Sequence, residues 1–189
     1  MYQKYHTEAL VLGSRESGES DRTITLFTRD FGLVRARASA IRSEKSKMRY
    51  ALQNYTYANV SLVRGKNGWR AAGATALLTA KGSPAVIATF ARIAELAMRF
   101  VGVDENSEYI FQTLMEAHEA LMTAPDAYPT IEIMCVARIL YSLGYISAEA
   151  LKSTLFTHTA YHTMHLLEAE ELKPELLQSI NNALAETHL

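Results

Sequence analysis

Hydrophobic and polar residues alternate along the first eighty positions in the way that is typical of β-strands. Five short runs are rich in β-branched and aromatic residues, and polar or glycine-containing stretches separate them. The runs are 5–13, 22–29, 33–40, 53–64 and 69–75. Asn67-Gly68 stands between the last two runs and predicts a hairpin turn, because both residues tolerate positive φ. This pattern predicts a small barrel such as an OB-fold.

The periodicity changes after Gly82, where apolar residues recur at intervals of three and four. Pro84 fits the first turn of a helix, with Ser83 as its N-cap. The predicted helices are 85–102, 105–123, 129–144, 147–157, 159–171 and 173–187. We therefore predict an α+β chain, with a five-stranded OB-fold barrel as one domain at residues 1–82 and an all-α helical domain at residues 83–189.

The charge is divided unevenly between these two parts. Residues 1–82 contain fourteen Lys and Arg against six Asp and Glu, a net charge of +8. Residues 83–189 contain five Lys and Arg against fourteen Asp and Glu, a net charge of -9. Such a division indicates a polyanion-binding module beside a module with another role. The alternative is that both parts are simply solvated.

The third strand places two arginines on one side of the sheet. Val34, Ala36 and Ala38 fall on one face, and Arg35 and Arg37 on the other, because side chains alternate with period two. An exposed, cation-rich loop is predicted at 41–49. We predict that DNA binds the cations of the strand, the loop and the hairpin, because neutralised phosphates release counterions. These candidates are Arg35, Arg37, Arg42, Lys45, Lys47, Arg49, Arg64, Lys66 and Arg70.

Four aromatic residues stand among these cations. Tyr50, Tyr55, Tyr57 and Trp69 are flat side chains of the kind on which the bases of a single strand stack. Aromatic residues also fill protein cores, so the alternative is that they occupy the barrel interior.

The sequence offers little for catalysis or metal binding. One helix face would carry His158, His162 and His165, which is a weak pattern for a zinc site. The alternative is that they are ordinary surface or core histidines. Cys135 lies in an apolar run and resembles a small buried hydrophobe. Phosphate-binding loops, dinucleotide motifs and nucleophile elbows are missing from the sequence. We predict a protein that is not an enzyme and needs no cofactor or metal.

Targeting signals are also missing. The sequence has no run of eighteen apolar residues, and its N-terminus lacks the apolar segment of a signal peptide. A single cysteine excludes an intramolecular disulfide. We expect a cytoplasmic protein with no membrane partner.

Several segments resemble the RecO family of recombination mediators. The run 17–22 (SGESDR), followed by 26–28 (LFT) and Phe31-Gly32, is similar to the most characteristic stretch of that family. Residues 7–12 (TEALVL) are similar to its opening strand, and 143–145 (LGY) to a helical segment. Ala36, Ala38, Arg42 and 45–46 (KS) resemble the family's segment of alanine, a small residue, arginine and lysine-serine.

This resemblance implies an N-terminal OB-fold and a helical C-terminal domain. It also implies binding of single- and double-stranded DNA, annealing of complementary strands, and help in loading RecA onto DNA coated by single-strand-binding protein. The implied partners are RecR, the acidic C-terminal tail of single-strand-binding protein, and RecA indirectly. The implied location is the bacterial cytoplasm, in association with the nucleoid.

The chain departs from the family pattern in two ways. Many members carry a four-cysteine zinc module soon after the Leu-Gly-Tyr segment, whereas 146–152 contains no cysteine, so we expect a short member without zinc. An acidic tail requires cations, and the helical part has only five. They are Arg92, Arg99, Arg138, Lys152 and Lys173.

Two hypotheses of function remain at this point. In the first, the chain is a non-catalytic DNA-binding mediator that anneals strands. In the second, the barrel is a protein-interaction adaptor with little DNA binding of its own, which the acidic helical part favours.

Overall fold

Five strands close into a barrel in the N-terminal part of the chain, in the order β1-β2-β3-β5-β4. The structure is a computed structural model, and it describes residues 3–43, 46–103, 107–151 and 153–186. The strands are β1 Lys4–Glu16, β2 Arg22–Thr28, β3 Gly32–Ala38, β4 Thr56–Gly65 and β5 Gly68–Thr79. The predicted five-stranded OB-fold barrel is confirmed.

The long strand β1 closes the barrel by pairing on both of its edges. Its first half pairs with β4 and its second half with β2, both antiparallel. A bulge between Val11 and Gly13 lies where it passes from one partner to the other, and bulges bend a strand. The sequence predicted that this strand ends at Gly13. It continues to Glu16 because Ser14 to Glu16 pair with β2.

The barrel core is made of inward-facing residues of all five strands, together with Ile41 and Leu52 from the segment between β3 and β4. Along β3 the buried Val34, Ala36 and Ala38 alternate with the exposed Arg35 and Arg37, as predicted. The core residues are Ala9, Val11, Ile24, Leu26, Val34, Ala36, Ala38, Ile41, Leu52, Ala58, Val60, Leu62, Trp69 and Ala71. Burial of this apolar surface is the main force that holds the barrel together.

The segment predicted as an exposed loop at 41–49 contains more structure than its charges suggest. Ile41 is buried in the barrel core, and a short helix, α1 Met48–Ala51, follows. Met48 packs against the core, and Ala51 and Leu52 are buried. The many charged residues of this stretch led to the prediction of an exposed loop, although Ile41 and Met48 within it are apolar.

The C-terminal part is all-helical, as predicted. Its helices are α2 Pro84–Phe100, α3 Glu108–Thr123, α4 Tyr128–Ser142, α5 Ala148–Leu151, α6 Thr163–Glu171 and α7 Lys173–Glu186, with a 3-10 turn at Pro125–Ala127. The predictions of helices at 147–157 and 159–171 were wrong in extent. Residues 153–162 are not helical, because Arg138 binds the carbonyls of Leu155, Thr159 and Ala160 from the side.

The residues form two compact units, Met1–Ala80 with Met98–Ser107, and Lys81–Ala97 with Glu108–Leu189. Within the first unit, Leu33 of β3 makes an isolated parallel bridge with Val103. A short stretch beyond the predicted boundary is therefore grouped with the barrel. The division into domains between residues 82 and 83 stays a prediction.

Candidate nucleic-acid interface

Two arginines face each other on the outside of the barrel. Arg37 of β3 and Arg70 of β5 are partners in the parallel pairing of these strands. Both side chains are exposed, and neighbouring strands lie about 4.8 Å apart. Like charges at directly opposite positions destabilise a sheet. A polyanion at this position would relieve that repulsion.

Strand pairing extends this pair into a row across the outer surface. Residues that are partners in neighbouring strands project to the same side of a sheet. In order along the row, the residues are Lys4, Val63, Arg70, Arg37, Thr23 and Arg15. Sequence reasoning missed the terminal cations of the row. It assigned Arg15 to a loop, and nothing in the local pattern shows which strands become neighbours.

A depression of about 450 Å³ adjoins the two facing arginines. Its walls are the β4-β5 hairpin and the outer face of β3, so that Lys66 joins Arg37 and Arg70 around it. The predicted hairpin is present, with Gly65 paired to Gly68, but of Asn67 and Gly68 only Gly68 has a positive φ, of 94°. In OB-folds, the β2-β3 face and the loop between β4 and β5 are the usual sites of oligonucleotide binding. These three cations occupy that region.

Asp21 partly neutralises Arg37. Its Oδ2 accepts hydrogen bonds from Nε and Nη2 of Arg37 at 2.9 and 2.6 Å, and its Oδ1 accepts one from the backbone N–H of Ala40 at 2.8 Å. The bond from Ala40, followed by the bond from Arg37, lowers the pKa of Asp21. The side chain of Arg37 nevertheless remains 61% exposed. It keeps donors free for a phosphate.

The other predicted cations differ in their surroundings. Arg42 forms an ion pair with Glu16 at 3.4 Å, and the guanidinium of Arg64 lies 5.3 Å from the ring centroid of Trp69. Lys45 lies outside the described residues. The remaining four predicted cations have no ion pair or side-chain hydrogen bond within the described part of the chain. They are Arg35, Lys47, Arg49 and Lys66.

The four aromatic candidates differ in how much of the side chain is exposed to solvent. Trp69 is a core residue, 8% exposed, with its ring centroid 5.6 Å from that of Tyr5 and 5.1 Å from that of Phe31. Tyr55 and Tyr57 are half-buried. Tyr50 is 68% exposed. The interior alternative is therefore correct for Trp69, and Tyr50 alone of the four presents most of its surface to solvent.

A larger groove, of about 1070 Å³, lies elsewhere on the barrel unit. Its charged lining residues are Glu8, Asp30, Arg29 and Lys47, so acids and bases balance. Arg29 also forms an ion pair with Glu8 at 2.7 Å. Hydroxyl and amide groups make up most of the remaining polar lining. The groove lacks the positive charge that favours a polyanion.

The three histidines of the weak zinc pattern do not share a helix face. The helix α6 begins at Thr163, so His158 and His162 precede it. The ring of His165 stacks on those of His162 and His158, with centroids 5.6 and 5.9 Å apart. Across the described ranges, no group of three potential ligands could hold a metal ion.

Cys135 is completely buried in α4. Burial raises the pKa of its thiol to about 12, so the thiol stays protonated at neutral pH. The residue therefore packs as a hydrophobe.

Among the helices that the structure describes, none combines the length and the apolar character needed to cross a membrane.

Known proteins are similar to this chain in the barrel and beyond it. Residues 1–71 match the family model described as recombination protein O N terminal. A DNA repair protein RecO of Dehalococcoides mccartyi is 28% identical over 180 residues, which are 94% of this chain and 60% of the relative. The protein of the same name in another strain is 31% identical over 120 residues, which are 62% of this chain and 47% of the relative.

A third relative is similar in the N-terminal part. The DNA repair protein RecO of Desulfitobacterium hafniense is 49% identical over 63 residues, which are 33% of this chain and 23% of the relative. The chain thus spans 60% or less of the length of these three relatives. The OB-fold barrel matches the N-terminal model of the RecO family, and the similarity to DNA repair proteins RecO continues into the helices.

Proposed function

We propose that this chain is a DNA repair and homologous recombination mediator that binds single- and double-stranded DNA on the outer face of its barrel. The observation that carries the proposal is the facing pair Arg37 and Arg70, joined by Lys66 across the hairpin depression. Three cations around one depression can each contact a phosphate, and each contact releases counterions. The predicted DNA-binding set also includes Arg35, Arg42, Lys45, Lys47, Arg49 and Arg64.

The proposed activity is annealing of complementary strands without catalysis by the protein itself. A basic surface reduces the repulsion between two phosphate backbones that approach each other. Contacts to phosphates carry little sequence information, so base pairing itself selects the correct partner strand. ATP is not required for this process, because the protein contributes only a surface.

We propose the partners that the family resemblance implies. They are RecR, the C-terminal tail of single-strand-binding protein and, indirectly, RecA, which the chain helps to load onto coated DNA. DNA as substrate and bacterial relatives support a place in the cytoplasm, at the nucleoid. The helical unit supplies few cations for an acidic tail, so RecR and the tail are best tested separately.

Fluorescence anisotropy with labelled oligonucleotides tests the DNA-binding proposal. Single strands and duplexes of the same sequence are titrated with the full chain at several salt concentrations. We expect binding at low salt that weakens as salt rises, with a slope set by the number of phosphates contacted. Absence of binding at low salt, or affinity that does not change with salt, would refute the proposal. Strand annealing with and without single-strand-binding protein then tests the partner link.

The second candidate is a protein-interaction adaptor whose barrel has little affinity for DNA. Two ion pairs favour it, because Asp21 and Glu16 neutralise part of the charge of Arg37 and Arg42. A pull-down with purified RecR and single-strand-binding protein distinguishes the candidates. Tight protein binding combined with no DNA retention supports the adaptor, whereas DNA retention at low salt supports the mediator.

A further inference from the structure

We infer that Tyr50 is a stacking platform for an unpaired nucleobase, which makes α1 a subsite for single-stranded DNA. This inference rests on the proposed DNA-binding function and identifies the form of DNA that this part of the barrel unit prefers. Tyr50 lies in α1 and does not line the depression beside the facing arginines.

Exposure separates Tyr50 from the other aromatic residues of the cation-rich region. Stacking requires a ring face that is accessible to a base. Trp69 is enclosed by Tyr5 and Phe31 in the barrel core. Tyr50 is 68% exposed, and no ring contact or hydrogen bond of its side chain occurs among the described residues.

The two remaining tyrosines are held by other interactions. Tyr57 is half-buried, and its hydroxyl is hydrogen-bonded to Glu8. Tyr55 is half-buried, and its backbone has a φ of 64°, in the left-handed region. Its backbone N–H donates to the carbonyl of Val11 at 2.7 Å. Both side chains are half-buried, so neither exposes as much of its ring as Tyr50 does.

The helix α1 orients Tyr50 by burying its opposite side. Met48 packs against the barrel core, and Ala51 and Leu52 are buried. These three apolar residues anchor the helix. Lys47 and Tyr50 are both exposed, so the helix presents them to solvent rather than to the barrel.

Lys47 and Tyr50 together match the two parts of a nucleotide. Residues three apart on a helix are neighbours, with Cβ atoms about 5–6 Å apart. Lys47 can therefore contact a phosphate while Tyr50 stacks on the base of the same or the next nucleotide. Arg49 adds a further exposed cation. Neither Lys47 nor Arg49 has an ion pair in the part of the chain that is described.

Only an unpaired base can use this platform. In a duplex, both faces of an internal base are already covered by its neighbours, so stacking on Tyr50 would require the base to leave the helix. The phosphates, by contrast, are accessible in both forms of DNA. Loss of the ring should therefore weaken single-strand binding selectively, while loss of a cation weakens binding to both forms.

The test compares Tyr50→Ala with Tyr50→Phe in the full chain. Affinity is measured by anisotropy for an oligothymidine, for a duplex, and for an abasic strand of equal length. We expect Tyr50→Ala to weaken binding to oligothymidine at least about fivefold, as loss of one stacked base would. Binding to the duplex and to the abasic strand should change less than about twofold, and Tyr50→Phe should retain binding, because its ring is kept. Tyr145→Ala is the matched control, since Tyr145 is an exposed tyrosine of the helical unit.

The outcomes separate this inference from the proposed function. Equal losses on oligothymidine and the abasic strand, or no loss on either, would overturn the stacking role while leaving salt-dependent DNA binding intact. Failure of the unsubstituted chain to bind any of the three probes at low salt would overturn the proposed function and this inference together. Selective loss on oligothymidine, with Tyr50→Phe unchanged, supports both.

Discussion

Asp21, in the turn between β1 and β2, holds Arg37 of β3 by a two-point ion pair. Two guanidinium nitrogens of Arg37 donate to one carboxylate oxygen, and the other oxygen accepts the N–H of Ala40. The carboxylate thereby fixes an arginine of the candidate interface and the chain that leaves β3. Arg70, which faces Arg37, has no acidic partner among the described residues. The pair of arginines is thus only partly compensated.

Substitution Asp21→Asn should alter the acid dependence of stability. The pKa of Asp21 lies below its ordinary value of 3.8 because the folded protein stabilises the carboxylate. A carboxyl group whose pKa is lowered by folding stabilises the folded protein at pH values above its ordinary pKa. This stabilisation is lost as the pH falls through the pKa of the folded state. Thermal unfolding followed by circular dichroism should therefore show a steeper decline below about pH 4 for the unsubstituted chain than for Asp21→Asn. Parallel curves for the two proteins would contradict this prediction.

Substitution of the two facing arginines should reduce the salt dependence of DNA binding. Each phosphate contact contributes about one unit to the slope of log affinity against log salt. We expect Arg37→Gln and Arg70→Gln to lower the slope by roughly one each, and to weaken binding to all sequences similarly. Lys173→Gln is the control, because Lys173 bonds to Glu170 in the helical unit. If the slope of log affinity against log salt is the same for all variants, DNA does not contact Arg37 or Arg70.

Substitution Trp69→Ala should destabilise the barrel. Trp69 is a core residue in contact with the rings of Tyr5 and Phe31. Loss of a buried tryptophan removes apolar contacts and leaves a cavity, which costs about 3–5 kcal/mol. Urea unfolding measures the loss, and Trp69→Phe should lose less because a ring is kept. A variant as stable as the unsubstituted chain but weak in DNA binding would instead assign Trp69 to the interface.

Arg138→Met should unfold the segment that precedes α6. Arg138 is 1% exposed, and its three guanidinium nitrogens donate to the carbonyls of Leu155, Thr159 and Ala160. It also lies 4.7 Å from the ring centroid of Tyr161. Methionine leaves three carbonyls without these donors, so we expect a loss of roughly 3 kcal/mol or more in the free energy of unfolding.

The control for Arg138→Met is Arg92→Met. Arg92 is half exposed and pairs with Glu132 on the surface of the helical unit. Exposed ion pairs contribute little, so its loss should cost less than about 1 kcal/mol. If the two variants lose the same free energy of unfolding in urea, the buried hydrogen bonds of Arg138 contribute no more to stability than the exposed ion pair of Arg92.

Local patterns were sufficient to predict most of the secondary structure. Alternation along β3 correctly placed Arg35 and Arg37 outside the barrel, because side-chain direction follows residue by residue from the strand geometry. The Asn67-Gly68 turn and the change to helical periodicity after Gly82 were equally local signals. The resemblance to the RecO family followed from short segments such as 17–22, and the comparisons confirmed it.

The sequence by itself thus determined the five strands, most of the helices, the division of charge and the resemblance to the RecO family. Only the tertiary structure decided which residues meet. Arg37 and Arg70 become neighbours because β3 pairs with β5, a contact between distant positions that no local pattern encodes. Closure of the barrel likewise buried Trp69 and left Tyr50 exposed, although both are aromatic residues beside cations. The physical reason is that burial depends on what packs around a residue, and in a barrel those neighbours come from other strands.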